Sequence, residues 1–238
     1  MFVNMTINQN IFPLLFIFLH CTLLIHAETD DKSKKNKKPT ISHKERKELR
    51  KNLEHSTINN EYRNEFEMIN CLFDGYDLED DAMILLCEIN LQTMQLFTID
   101  TYIDCYSIST SEKGIGNTDG SFQTPIGMHK IYKRICNNCE EGTIIRGLTE
   151  SDKKIKAKTD LTEVKGDYLT SRVLTLDGMD KGINKGGVFD SHKRGVMIHG
   201  TPEEGYIGQT KSKGCVRMYN DEIMRLFSTI KDAQDVYL

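Results

Sequence analysis

The sequence predicts a mainly β domain, compact and sandwich- or barrel-like, with a few short helices. A signal segment and a basic linker with a helix precede it. Three observations carry that expectation. From Met83 onward, short apolar or alternating runs recur at strand-like lengths. Turn-forming clusters such as Asn117-Thr118-Asp119-Gly120 punctuate them. Helical apolar spacing is confined to the segment before Met83 and the stretch after Asn220. Many short strands with few helices bury their apolar faces best by packing or closing on one another.

Residues 11–27, IFPLLFIFLHCTLLIHA, are apolar and end in Ala27 before the polar Glu28-Thr29-Asp30-Asp31. Residues 1–27 therefore read as an export signal cleaved after Ala27. Residues 1–10 contain no Lys or Arg. The lysines lie downstream, which for an uncleaved anchor would favour a cytoplasmic C-terminus. The run is barely long enough to span a bilayer. Residues 28–60 are charged and read as a flexible linker with a marginal helix over residues 44–53. Lys32, Lys34, Lys35, Lys37 and Lys38 make a solvated linker or a contact to anionic envelope polymers or lipid head groups. Across 61–82, Tyr62, Phe66, Ile69 and Phe73 recur at i, i+4, i+7 and i+11, one face of an amphipathic helix that Asp74-Gly75 ends.

The domain proper is residues 83–238. MILLCEI from Met83 is a short buried-type run, and QTMQLFTI and YIDCYSI alternate well enough for a ribbon turning at Asp100-Thr101. Thr124-Pro125-Ile126-Gly127 leads into a short strand over residues 128–135. Residues 137–160 are polar, with one strand candidate at 143–148. RVLTL from Arg172 is another, followed by a loop rich in glycine, expected to be mobile, with Gly178, Gly182, Gly186 and Gly187. Residues 195–199 bring His199 in on a strand. Asn220-Asp221 then caps a closing helix with Ile223, Leu226, Phe227 and Ile230 on one face.

A chain of 238 residues with 38% apolar content can bury one good core. A formal charge of −4 argues against a nucleic-acid binder, whose footprint would be basic. Removing residues 1–27 takes Cys21 and leaves Cys71, Cys87, Cys105, Cys136, Cys139 and Cys215. If Cys215 stays a thiol, an odd number remains, so at least one more is unpaired. Cys136-Asn137-Asn138-Cys139 has metal-ligand or redox spacing but lacks the second pair that a zinc site needs. An oxidised surface loop or two plain thiols is the preferred reading. A zinc protein using this pair and two histidines is a rival.

The chemistry concentrates in Val196–Met218, VMIHGTPEEGYIGQTKSKGCVRM. His199 ends an apolar run, and Cys215 sits in Ser212-Lys213-Gly214-Cys215-Val216-Arg217. A thiol is mostly protonated at neutral pH and needs a base to act as a nucleophile, a role an imidazole can fill. A glycine before the nucleophile frees the backbone to turn amide N–H groups toward an oxyanion. Without further context, such a pair is more often a buried thiol and an unrelated histidine.

This stretch resembles the catalytic motif of the L,D-transpeptidases of the YkuD-domain family, which reads His-Gly, a spacer, then Ser-His-Gly-Cys-(apolar)-Arg or Asn. His199-Gly200, Ser212, Gly214, Cys215, Val216 and Arg217 fall into it in order. Thr124-Pro125-Ile126-Gly127 is similar to the family's T-P-x-G, and the resemblance runs over roughly residues 86–238. Lys213 departs from the pattern, standing where the family has a second histidine.

The resemblance implies a compact β fold with the cysteine on a loop beside a strand-borne histidine. It implies that Cys215 is the nucleophile and His199 the base, with Gly214 and Cys215 donating N–H groups to the oxyanion. Arg217 would clamp a substrate carboxylate or anchor the loop, and Ser212 would orient the loop. Lys213 would favour the thiolate or point to solvent. Tyr206, Asn184 and Arg172 are candidates for lining the cleft. The implied substrate is the peptidoglycan stem peptide. Cys215 would attack the carbonyl of its third residue and release D-alanine, and the thioester would pass to an amine of a second stem, giving a 3→3 cross-link. Water as acceptor would make an L,D-carboxypeptidase, and a silent wall-binding module is the non-enzymatic rival. No metal or organic cofactor is required, carbapenems would acylate Cys215, and the protein would work in the periplasm or envelope, close to the membrane if residues 11–27 stay uncleaved.

Overall fold

In this computed structural model the residues described are Tyr76, 82–98, 101–230 and 236–238. The expected signal segment, the linker and the helical face of Tyr62, Phe66, Ile69 and Phe73 lie outside them. No described helix is long and apolar enough to cross a membrane.

The described residues form one ten-stranded mixed sheet and one α-helix. The strands are β1 (Met83–Glu88), β2 (Thr93–Phe97), β3 (Tyr102–Ser109), β4 (His129–Ile135), β5 (Thr143–Arg146), β6 (Thr149–Lys154), β7 (Leu169–Gly178), β8 (Met197–Gly200), β9 (Val216–Met218) and β10 (Val236–Tyr237). The helix α1 spans Asn220–Thr229. Strand order runs β4-β10-β1-β2-β3-β9-β8-β7, and β4 also pairs with β7, so these eight close into a ring. Closure leaves the ring without an open edge. The long β7 makes it possible. Its residues 173–178 pair with β4, while Leu169 and Thr170 pair with β5, from which β6 hangs as a hairpin.

The expected strands match β1–β5, β7 and β8, with the end of each shifted by a few residues. Three strands were not legible. β6 reads TESDKK and is mostly exposed, so it has no apolar face to betray it. β9 and β10 have three and two residues, too few to show a period.

The core gathers Leu85, Met94, Leu96, Tyr106, Ile108, Leu174, Leu176, Val196, Ile198, Val216 and Met218 with Ile223, Leu226, Phe227 and Ile230 of the closing helix. Each such burial contributes about 1.5–3 kcal/mol. The helix face is as expected, but its cap is not. Tyr219 occupies the N-cap without a side-chain cap bond. The Asn220 N–H is instead capped by Glu204 Oε1 at 2.8 Å. The Asn220 side chain donates to the Thr201 carbonyl and accepts from the Thr170 and Ser171 hydroxyls. Those two hydroxyls lie at a bulge in β7, where the pairing with β8 slips between Thr170 and Val173 and Ser171 takes φ 65°. The bulge and Asn220 thus tie the start of α1 to the strand that runs beside β8.

The glycine-containing loop after β7 is tied down rather than loose. Asn184 is buried and donates to the Ile126 and Met128 carbonyls, while Asp180 N–H bonds its Oδ1. Asn184 therefore fixes the Thr124–Gly127 turn. Cys136 and Cys139 form a disulfide at the end of β4, in a loop whose Asn137 and Asn138 are exposed, with Cys136 half-buried and Cys139 buried.

Candidate active site

The site is built on β8 and β9, which pair in parallel with His199 opposite Arg217 and Ile198 opposite Val216. Side chains alternate along a strand. Ile198, Val216 and Met218 therefore enter the core, and His199, Arg217 and, two residues back, Cys215 share the other face. A parallel pair needs a crossover; here it is residues 201–215, which carry the Ser212–Cys215 loop.

Ser212 is fully buried and shapes that loop. Its hydroxyl donates to the Cys215 carbonyl at 2.5 Å and accepts the Gly214 N–H at 3.2 Å. Its N–H bonds the Thr110 carbonyl, which fastens the loop to the end of β3. Gly214 takes φ 121°, and a Cβ there would sit 3.4 Å from the Gln123 carbonyl oxygen. The Gly214 N–H, expected to serve an oxyanion, is thus turned onto Ser212. Among the described residues the Cys215 N–H carries no hydrogen bond.

The Cys215 thiol donates to the Gly195 carbonyl at 3.7 Å. Burial pushes its pKa up to about 11. A backbone bond at Met197 and the charges of Arg217 and Arg194 pull against that rise, and Asp167 adds to it. His199 is buried, and its Nδ1 bonds the Gly200 carbonyl at 2.8 Å. A carbonyl only accepts, so Nδ1 carries the proton and Nε2 is left as an acceptor. Burial lowers the imidazole to about 4; the Gly200 bond and Asp167 oppose this, and Arg217 reinforces it. At neutral pH the pair rests as thiol and neutral imidazole.

Arg217 is 5% exposed. It donates to Glu203 Oε2 at 2.8 Å and to Asp167 Oδ1 at 2.7 Å. Glu203 Oε1 also accepts the Val164 N–H. The guanidinium is therefore committed to two carboxylates and anchors the segment 164–167, which leaves the loop-anchor reading and removes it as a free clamp. Arg172 is buried, donates to the Cys139 and Ser171 carbonyls and packs over the Phe227 ring. It braces the disulfide against α1 and does not line a cleft with Cys215. Lys213 is exposed, and Tyr206 is half-buried with its hydroxyl on the Leu161 carbonyl. Sequence reasoning missed Arg194, Gly195, Asp167 and Glu203. Nothing in their local sequence marks them, because each reaches the site through the fold. Cys136, Cys139 and Glu150 lie within 4.8 Å of one another at the disulfide, and the described residues offer no fourth ligand.

A family model described as the L,D-transpeptidase catalytic domain (YkuD) matches residues 84–238. The curated "Putative L,D-transpeptidase YqjB" of Bacillus subtilis (strain 168) is 54% identical over 33 residues, 14% of this chain and 19% of that one. Among solved structures, an L,D-transpeptidase from Mycobacterium smegmatis is 12% identical with a TM-score of 0.36, covering 65% of this chain and 57% of that one. L,D-transpeptidase 3 from Mycobacterium tuberculosis, solved with a faropenem-derived adduct, is 11% identical with a TM-score of 0.38 and coverages of 65% and 58%. This chain thus spans little more than half the length of those solved relatives.

Proposed function

The chain belongs to the YkuD family of L,D-transpeptidase catalytic domains, and on that premise we propose that it is a cysteine-dependent L,D-transpeptidase acting on peptidoglycan stem peptides outside the cytoplasmic membrane. The observation that carries this reading is the Nε2 of His199, left as an acceptor among the described residues, on the strand that pairs with β9, which Cys215 directly precedes.

Cys215 gives its proton to His199 Nε2 as its sulfur attacks the carbonyl of the third stem residue. The free Cys215 N–H is the donor left to meet the oxyanion, a contact worth about 3 kcal/mol in comparable sites. As the C–N bond breaks, His199 returns the proton to the departing D-alanine amine, which leaves a thioester. An amine of a second stem then attacks, its proton passes to His199, and the thiol is restored with a 3→3 cross-link formed. Because both partners rest neutral, the proton moves during attack rather than before it.

The test is incubation of the purified protein and its Cys215→Ala variant with tetrapeptide muropeptides, read by chromatography, and with a carbapenem, read by mass spectrometry. The native chain should release D-alanine, form cross-linked dimers and gain a covalent adduct on Cys215, and the variant should do none of these. Equal turnover by the variant would overturn the enzyme assignment. D-Alanine release without dimers would assign hydrolysis in its place.

A further inference from the structure

Arg194 precedes Gly195, the residue whose carbonyl accepts the Cys215 thiol. Its guanidinium donates to the Gly116 carbonyl at 3.2 Å and to the Gln123 carbonyl at 2.7 Å. That same Gln123 oxygen lies against Gly214, the neighbour of the nucleophile. Arg194 is therefore strapped to the wall of the nucleophile loop, one carbonyl away from it. No described carboxylate forms an ion pair with it, although the charge of Asp119 acts on it, whereas Arg217 is claimed by Glu203 and Asp167.

We propose that Arg194 is the positioning residue of the nucleophile: it supplies the positive charge that favours the Cys215 thiolate, the part that sequence position suggested for Lys213. The inference rests on Cys215 being the reactive thiol, but its test reads the thiol and not transpeptidation. The charged and titratable groups around the sulfur are His199 on β8, Arg217 on β9, Asp167 and Glu203 clamped to Arg217, Lys213 on its own loop, and Arg194, with Asp119 behind the last. Of the cations, Lys213 is exposed, and Arg217, which also lowers the thiol pKa, is held in ion pairs by two acids. Arg194 is the one of the three that is neither exposed nor held by a described carboxylate. Its field acts on Cys215 in the expected direction.

The experiment is alkylation of Cys215 across pH in the full chain, mapped by mass spectrometry apart from the other cysteines, with neutral iodoacetamide and anionic iodoacetate. A one-unit rise in thiol pKa cuts the thiolate tenfold but raises its nucleophilicity about threefold, a net slowing of about threefold. Arg194→Gln should slow iodoacetamide by about that factor at pH 7.5, slow iodoacetate more, and move the pH midpoint upward. Arg194→Lys should restore most of the midpoint, which a purely structural strap would not do. Should Arg194→Gln fail to fold, the native chain and Lys213→Ala still decide: added salt should lower the iodoacetate-to-iodoacetamide ratio equally in both. An unshifted midpoint in Arg194→Gln, an equal shift in Arg194→Lys, or a salt effect lost in Lys213→Ala would overturn the proposal.

Discussion

Mild acid should destabilise this domain through His199. The folded state holds the imidazole neutral because it is buried, with its pKa lowered to about 4. In the unfolded chain the same ring titrates near its ordinary value of about 6.5. Between those values the unfolded state binds a proton that the folded state refuses. Stability is therefore full above that range and falls as pH drops through it. The gap is worth about 3 kcal/mol when fully expressed, and about 2 kcal/mol of it is lost by pH 5. His129 acts in the same direction, since burial lowers its pKa as well. Glu204 acts in the opposite direction, because burial raises its carboxyl and the folded state then binds its proton more readily. Comparison with His199→Asn cancels both. Urea midpoints measured at pH 7 and pH 5 should show the native chain losing about 2 kcal/mol more than the variant, roughly 1 M in urea at an ordinary slope. Equal losses would mean that the fold does not hold His199 neutral, and the neutral-base mechanism would fail with it.

Arg217→Ala should cost about 3–5 kcal/mol of stability, mostly through the buried Glu203 left without its cation; thermal melts check this, and a stable variant with only a raised KM would restore Arg217 as a substrate clamp. Replacing Cys136 and Cys139 by Ser should cost about 2 kcal/mol or less, as expected for so short a closed loop, and leave muropeptide turnover largely intact. A matching loss of bound zinc and activity would reopen the metal reading.

The β class was legible because β1–β4, β7 and β8 carry enough apolar residues to show their period. β6 was hidden by polarity on both faces, and β9 by brevity, although β9 is the strand that places Cys215. The site was legible as a motif but not as a circuit. His199, Ser212 and Cys215 stand in order in the sequence, yet besides burial and Arg217 the charges that act on the imidazole and the thiol come from Asp167 and, for the thiol, Arg194, both outside the motif. Arg217 shows the cost of reading charge without its neighbours. A guanidinium in a motif suggests an anion site, and here the anions are the protein's own.

Lys213 and Arg194 make the same point in space. In extended backbone a residue two positions from Cys215 would share its face. The loop is not extended. Ser212 folds back to bond both the Gly214 N–H and the Cys215 carbonyl, and that tight turn leaves Lys213 exposed between them. Arg194 is twenty-one positions from Cys215, but it adjoins the β8 strand that runs parallel to β9, and the Gly116 and Gln123 carbonyls hold its side chain against the loop. Chain distance therefore does not decide which side chain is held against the loop, because the hydroxyl that shapes the Ser212–Cys215 turn also leaves its nearest charge exposed.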